Sequence, residues 1–142
     1  MSYRTIKGNV LESKEKHVAF AISEEGGLRN AGGFSGELIG RGLWPELIHV
    51  ANRKPGEVVS HTASNGVTYH ALVIHSFKPN GWLNAVPYLR KALASLPVNP
   101  KDAVAFVQIG TGSAGQAGGA NPTMIMAEFA LTRLNLVVYV YP

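Results

Sequence analysis

The amino-acid sequence predicts an α/β domain in which a mixed, mostly parallel sheet of about six strands lies between two layers of helices. Short continuous apolar runs, typical of strands buried on both faces, alternate along the chain with segments whose apolar residues recur at helical spacing. One Asn-Gly dipeptide between two β-prone runs indicates an inserted hairpin. The length of 142 residues fits a single domain, 1–142, that can bury such a core without metals or disulfides.

The first buried strand is predicted over Val18 to Ile22, a continuous apolar run that ends at Ser23 before a series of glycines. Glycines and Pro45 interrupt the segment that follows. Phe34 to Arg53 is therefore expected to hold one short helical turn and then a helix that begins at Pro45, because proline is favoured at the first helical position.

A β-hairpin is predicted in the middle of the chain. Gly56 to Ser60 and Val67 to Ser76 are rich in β-branched and aromatic residues, and they flank Ser64-Asn65-Gly66. An Asn-Gly dipeptide in this position is the strongest short-range hairpin signal, so these two strands are expected to be antiparallel.

Two helices and two strands are predicted in the second half. The first helix ends before Pro97, has Pro87 in its first turn, and has an apolar stripe formed by Val86, Leu89, Leu93 and Leu96. Ala103 to Ile109 is a buried-strand candidate. Asn121-Pro122 is a good start for a helix, whose stripe is formed by Met124, Ala127, Leu131 and Leu134. Leu136 to Tyr141 is predicted as the last strand.

The amino-acid composition limits the classes of function that are possible. Charged residues make up 15% of the chain, below the roughly 25% of an average soluble domain, and apolar residues make up 46%, which indicates either a high buried fraction or an oligomer interface. The 13 basic and 9 acidic residues are scattered, so no nucleic-acid-binding arm is predicted and anionic ligands are only weakly favoured. Cysteine is absent, which excludes disulfides, thiolate zinc sites and cysteine catalysis.

The N-terminal segment, Met1 to Lys16, is polar and has no apolar core of signal-peptide length. Nowhere does an apolar run reach the length of about 18 residues that a membrane-spanning helix needs. A soluble cytoplasmic protein without a membrane partner is therefore expected.

Two glycine-rich stretches, Asn30 to Gly36 and Gly110 to Gly119, each follow a predicted buried strand. No charged residue occurs between Asp102 and Glu128, so an anion bound by the second stretch would be held by main-chain N–H groups and a helix N-terminus. In an open α/β sheet, ligands bind outside the carboxyl ends of the strands, where both stretches can meet over one crevice. The sequence thus predicts a nucleotide-type site, and flexible connectors are the alternative interpretation.

Two well-known phosphate motifs do not fit. Gly110-x-Gly112-x-x-Gly115 has the spacing of a dinucleotide-binding fingerprint, but the next helix is not expected before Pro122 and the last strand contains no acidic residue for a ribose. A P-loop is excluded because no Gly-Lys-Ser/Thr follows either stretch.

The segment Ile109-Gly110-Thr111-Gly112-Ser113-Ala114-Gly115 resembles the second phosphate loop of macrodomains, and Ala31-Gly32-Gly33-Phe34-Ser35-Gly36 resembles the first. Gly8-Asn9-Val10 is similar to their N-terminal Gly-Asp-Ile/Val motif. The run Val18 to Ser23 followed by Glu24 looks most like the branch of terminal ADP-ribose and DNA ADP-ribose glycohydrolases. The resemblance covers nearly the whole chain.

The resemblance implies a three-layer macrodomain-like fold that binds ADP-ribose, with ADP-ribosylated protein or nucleic acid as further partners. No cofactor is expected. The ligand-binding residues that it implies are Asn9, Val10, Ser23, Gly32, Gly33, Phe34, Ser35, Gly36, Gly110, Thr111, Gly112, Ser113, Ala114 and Gly115.

Three departures from the family pattern concern adenine and catalysis. Asn9 replaces the Asp that accepts the adenine amino group, and its side-chain oxygen offers the same bond without charge assistance. The lysine and acid of the glycohydrolase branch align with Ser76 and Ala114, so neither catalytic group is retained at these positions. Lys78 lies close enough in sequence that a shifted register would restore an amine.

The remaining chemical residues give weaker signals. The five histidines show no metal-binding spacing, so metal ligation is not expected and most are interpreted as surface or strand-face residues. His75 is the exception, because it lies near the expected crevice, where a neutral imidazole can act as a general base. Glu24 and Glu25 are read as solvated acids or as groups that orient a ribose hydroxyl or a water. Phe34 is expected to pack against either the ligand or the core.

Three hypotheses follow. The first is an ADP-ribose-binding module that uses two glycine-rich phosphate loops. The second is an ADP-ribosyl hydrolase with a non-standard set of groups, for which His75, Lys78 and Glu24 are the candidates. The third is a structural protein, with a vestigial crevice, that forms a homo-oligomer.

Overall fold

The computed structural model describes residues 3–24, 33–45, 53–76, 78, 84–107 and 132–140. Within these ranges lie six strands, two α-helices and one short 3-10 helix, Val10–Glu12. In chain order the elements are β1 (Tyr3–Lys7), β2 (His17–Ser23), α1 (Gly33–Gly40), β3 (Val58–Thr62), β4 (Thr68–His75), α2 (Ala85–Ser95), β5 (Ala103–Val107) and β6 (Asn135–Val140).

The six strands form one mixed sheet in the order β1-β6-β5-β2-β4-β3. Every neighbouring pair is parallel except β3 and β4. Strand β2 lies near the middle, hydrogen-bonded to β4 on one side and to β5 on the other. The predicted mixed, mostly parallel sheet is therefore confirmed.

Apolar side chains cover both faces of the sheet, as the continuous apolar runs predict. On one face, Val18, Phe20 and Ile22 of β2 pack in the same cluster as Leu38 of α1. On the other face, Ala19 packs with Leu89 and other buried residues of α2. One described α-helix thus lies on each face, which is the layering expected of a three-layer α/β/α fold.

The predicted hairpin is confirmed, and its strands are antiparallel with Ser60 opposite His70. At the turn, Gly66 has a φ of 85°, which favours glycine, and its N–H donates to the carbonyl of Ala63 at 3.0 Å. The side-chain oxygen of Asn65 accepts from the N–H of Val67 at 3.0 Å. The Asn-Gly pair therefore fixes the register of the hairpin.

Helix α2 and strands β5 and β6 also lie where the sequence predicts them. Pro87 is in the first turn of α2, and Leu89 and Leu93 of the predicted stripe are buried against the sheet. The two predicted strands of this half are described up to Val107 and up to Val140. Over these parts they form β5 and β6, which pair with each other.

Two elements differ from the prediction. The sequence predicts a glycine-rich stretch up to Gly36 and one short helical turn before Pro45, but α1 already begins at Gly33 and is eight residues long. Burial of Leu38, together with the packing of Phe34, offsets the low helix propensity of its glycines. Strand β1 was not predicted, because four of its five residues are exposed and its pairing with β6 gives no apolar alternation.

The helices expected after Pro45 and after Pro122 lie outside the described residues. None of the helices in the described ranges has the length and apolar character required to cross a membrane.

Candidate functional site

The connections of the sheet diverge at the boundary between β2 and β5. The chain leaves β2 towards β3 and β4 on one side of the sheet, and it leaves β5 towards β6 on the other side. Since β2 and β5 are adjacent and parallel, their carboxyl ends open at the same edge. Ligands of open α/β sheets bind at such a topological switch point.

The two glycine-rich stretches lie in the connections that follow these two strands. The first, Asn30 to Gly36, lies in the connection after Ser23, the last residue of β2, and the second, Gly110 to Gly119, lies in the connection after Val107, the last residue of β5. Both connections therefore leave the sheet from one edge and not from opposite sides. The predicted site residues Gly32, Gly110, Thr111, Gly112, Ser113, Ala114 and Gly115 lie outside the described residues.

The last four predicted residues of the first stretch form the first turn of α1. They are Gly33, Phe34, Ser35 and Gly36. The first N–H groups of a helix have no intrahelical partner, and they form the positive end of its dipole. Phe34 packs against the core, with its ring centroid 5.3 Å from that of Phe20. Phe34 remains only partly buried, so part of the residue is accessible to solvent.

Asn9 and Val10 lie at the same edge, directly after the carboxyl end of β1. Asn9 is the N-cap of the 3-10 helix, and its Oδ1 accepts the N–H of Leu11 at 3.0 Å. Val10 is buried in the cluster on the α1 face, and the 3-10 helix contacts β5. The 3-10 helix that Asn9 caps thus lies beside the strand that precedes the second glycine-rich stretch.

The three catalytic candidates of the sequence lie together at the carboxyl ends of β2 and β4. Ser23 pairs with His75 across a register shift, and the N–H of Glu24 donates to the carbonyl of His75 at 2.8 Å. Lys78 Nζ lies 3.7 Å from Glu24 Oε1. The N–H of Lys78 also donates to Ser76 Oγ at 3.1 Å. The amine of Lys78 and the carboxylate of Glu24 are therefore neighbours at this edge, next to the backbone of His75.

The residues at this edge differ in their exposure to solvent. Ser23 and His75 are 1% and 5% exposed, whereas the side chains of Lys78 and Glu24 are 76% and 27% exposed. The Lys78–Glu24 pair is therefore largely screened by water, and it holds the amine near the strand ends without burying it.

Replacing Lys78 with alanine is expected to change the free energy of unfolding by less than about 1 kcal/mol, because exposed ion pairs contribute little. Urea denaturation of the wild type and of Lys78→Ala measures this difference. A loss of more than about 2 kcal/mol would mean that the pair is structural. A small change makes Lys78→Ala a clean variant for tests of activity.

A second polar cluster, which the sequence did not predict, lies on the face of the sheet that α2 covers. Ser60 Oγ lies 2.6 Å from His70 Nδ1, and His70 Nε2 lies 3.0 Å from His17 Nδ1. Part of this cluster could have been found from the Asn-Gly turn, because the hairpin register that the turn fixes places Ser60 opposite His70. Within the described residues, no group of three or more His, Cys, Asp or Glu side chains is arranged to hold a metal ion.

No protein-family model and no curated protein matches this sequence. Solved structures do match. The macrodomain of Mycobacterium tuberculosis DarG is 14% identical with a TM-score of 0.68, over 97% of each chain. A macrodomain protein from Streptomyces coelicolor is 17% identical with a TM-score of 0.59, over 99% of this chain and 100% of that one.

A coronavirus structure of three main domains of nonstructural protein 3 is 16% identical with a TM-score of 0.63, and it covers 99% of this chain. This chain spans only 33% of the length of that viral chain. Likenesses at this level of identity concern the fold. Together with the strand order and the layering, they identify the fold of this chain as macrodomain-like.

Proposed function

We propose that this protein is an ADP-ribose-binding module, in which the diphosphate lies between Gly32 to Gly36 and Gly110 to Gly115. The observation that supports it most is the switch point: the glycine-rich stretches follow two adjacent parallel strands and leave the sheet at one edge. Solved macrodomains share this fold.

Backbone donors are the groups that would bind the diphosphate. Residues without bulky side chains let main-chain N–H groups approach phosphate oxygens, and the first turn of α1 adds the positive end of a helix dipole. No acidic residue lies between Asp102 and Glu128 to repel an anion. The net charge of +4 favours the same sign of ligand.

Asn9 is the proposed acceptor for the adenine amino group. One lone pair of its Oδ1 already accepts the N–H of Leu11. A carbonyl oxygen has a second lone pair, so the bond to adenine remains available while the N-cap holds the side chain in place. Without the charge of an aspartate this bond is weaker, so Asn9→Asp is expected to raise the affinity for adenine nucleotides.

Calorimetry with ADP-ribose, ADP and AMP tests the proposal. ADP-ribose is expected to bind with saturable heat, and AMP, which lacks the diphosphate, is expected to bind more weakly. Absence of saturable heat for all three nucleotides would contradict the proposal.

Gly112→Val is expected to abolish this binding with little change in the melting temperature, because its side chain would obstruct the second glycine-rich stretch. Gly40→Val is the matched control, since a Cβ at Gly40 would meet no atom within 4 Å. The control is expected to bind like the wild type. Equal loss of binding and of melting temperature in Gly112→Val would mean that this glycine is structural.

A second candidate function is ADP-ribosyl hydrolysis, favoured by the proximity of Lys78, Glu24 and His75 at the same edge. Ser76 and Ala114 replace the groups that the glycohydrolase branch uses, so the exposed amine of Lys78 would take the role of the lysine. Incubation with ADP-ribosylated protein and DNA tests it. Release that disappears in Lys78→Ala or His75→Ala supports hydrolysis, and absence of release from the wild type leaves binding alone.

A further inference from the structure

The side chains of Ser60, His70 and His17 form a continuous chain of hydrogen bonds across three strands. Ser60 Oγ lies 2.6 Å from His70 Nδ1, and His70 Nε2 lies 3.0 Å from His17 Nδ1. The two imidazole planes are inclined by 27°, with centroids 5.3 Å apart. A hydroxyl, a base and a second base in contact is the arrangement that activates a nucleophile.

The hairpin register explains why the first contact is short. Val73 donates to the carbonyl of Glu57, and Ala63 donates to the carbonyl of Val67, so the odd-numbered residues of β3 form the hydrogen-bonded pairs with β4. Ser60 and His70 are consequently a non-hydrogen-bonded pair, in which Cα atoms approach to about 4.5 Å and side chains are closest. The N–H of Ser60 points away from β4, towards the sheet edge.

Burial keeps the central imidazole neutral. His70 is only 1% exposed, and desolvation, followed by the charge of His17, lowers the pKa of His70 to about 4. A neutral imidazole donates through one nitrogen and accepts through the other. In the tautomer with a proton on Nε2, His70 accepts the hydroxyl of Ser60 and donates to His17 Nδ1.

We propose that Ser60, His70 and His17 form a proton relay that makes Ser60 a nucleophile towards activated acyl esters. Ser60 Oγ forms a bond to the acyl carbon, and the bond from that carbon to the leaving alkoxide breaks. The hydroxyl proton passes to His70 Nδ1 while the Nε2 proton of His70 passes to His17 Nδ1. His17 then returns a proton, through water, to the alkoxide, which leaves as an alcohol.

The relay places positive charge on the ring that tolerates it best. His70 exchanges one proton for another and is never charged, whereas His17 is only partly buried at the first residue of β2. Ser60 is an exposed residue of β3, which is the terminal strand of the described sheet, so the relay begins at a residue that solvent reaches.

This cluster is separate from the proposed nucleotide cleft. His17 begins β2 and Ser23 ends it, which corresponds to roughly 20 Å at the usual rise of a strand. Ser60 and His70 also share their face with Leu72 and Ile74, the face that α2 covers. Failure of ADP-ribose binding would therefore not bear on the relay.

Acylation by 4-nitrophenyl acetate and by a fluorophosphonate probe, followed by peptide mapping, tests the proposal on the whole chain. Ser64, which is exposed in the hairpin turn, is the internal control. Ser60 is expected to react about 100-fold faster than Ser64, the lower range for positioned acid–base assistance. Equal rates at Ser60 and Ser64 would overturn the proposal.

His17→Asn separates the relay from a structural role. The Oδ1 of asparagine can accept the hydrogen bond from His70 Nε2, but it cannot take the proton. The variant is expected to keep the melting temperature of the wild type and to lose about 10-fold or more in the rate of Ser60 acylation. Unchanged acylation in a folded His17→Asn protein would refute the relay.

Discussion

Lowering the pH from 7 to 4 is expected to destabilise the folded protein by about 3 kcal/mol through His70 alone. The pKa of this imidazole is about 4 in the folded state, against 6.5 for an ordinary histidine, because burial and the neighbouring His17 disfavour its charged form. Between these two values the unfolded chain binds a proton that the folded chain excludes. The stabilisation is therefore complete above pH 6.5 and is lost progressively as the pH falls towards 4.

Urea denaturation at several pH values between 4 and 7 measures this effect, with His70→Asn as the comparison. The variant lacks the titrating group, so its stability is expected to be lower at pH 7 and to fall less steeply with acid. Carboxylates titrate in both proteins, and the difference between the two curves isolates His70. Parallel curves would show that His70 titrates alike in the folded and unfolded states.

Sequence reasoning predicted the elements whose determinants are local. The Asn65-Gly66 dipeptide specifies a turn by its own backbone preferences, and the hairpin forms around it with the expected pairing. Strand β2 is similarly evident, since a run without polar residues has to be covered on both faces.

Strand β1 was not predicted, and helix α1 is longer than the one short helical turn that was expected after the first glycine-rich stretch, because the determinants of both elements are not local. Strand β1 is held by backbone pairing with β6, which is more than 120 residues away in the chain. Helix α1 contains three glycines, and it is the burial of Leu38 against the sheet that stabilises it. Packing of this kind overrides the local propensity on which the sequence prediction depended.

The proposed nucleotide site and the Ser60–His70–His17 cluster also differ in how far local sequence signals predict them. The strand order places the connections after β2 and β5 at one edge of the sheet, where the sequence analysis expects the two glycine-rich stretches to meet, and ligand binding by these stretches stays a prediction. The Ser60–His70–His17 cluster joins residues that are 10 and 53 positions apart. No motif spacing connects His17 to His70, so only the pairing of β2 with β4 brings them together.

Phe20→Ala is expected to cost about 3–5 kcal/mol of unfolding free energy, because removing a fully buried aromatic ring leaves a cavity that the surroundings fill only partly. Phe20 is 1% exposed, and its ring centroid lies 5.3 Å from those of both Phe34 and Trp44. The ring thus joins β2 to α1 and to the segment that follows it. Such a loss is a large part of the 5–15 kcal/mol typical of a folded domain.

Phe34→Ala is the matched control for this prediction, since it removes the same ring from the same contact on the helix side. Phe34 is only partly buried, so less apolar area returns to water and the loss of stability is expected to be smaller. Urea denaturation of both variants, with unchanged m-values, measures the two losses. Equal losses would mean that Phe34 is as much a core residue as Phe20. A small loss of stability combined with weaker ADP-ribose binding in Phe34→Ala would assign the accessible part of Phe34 to the ligand.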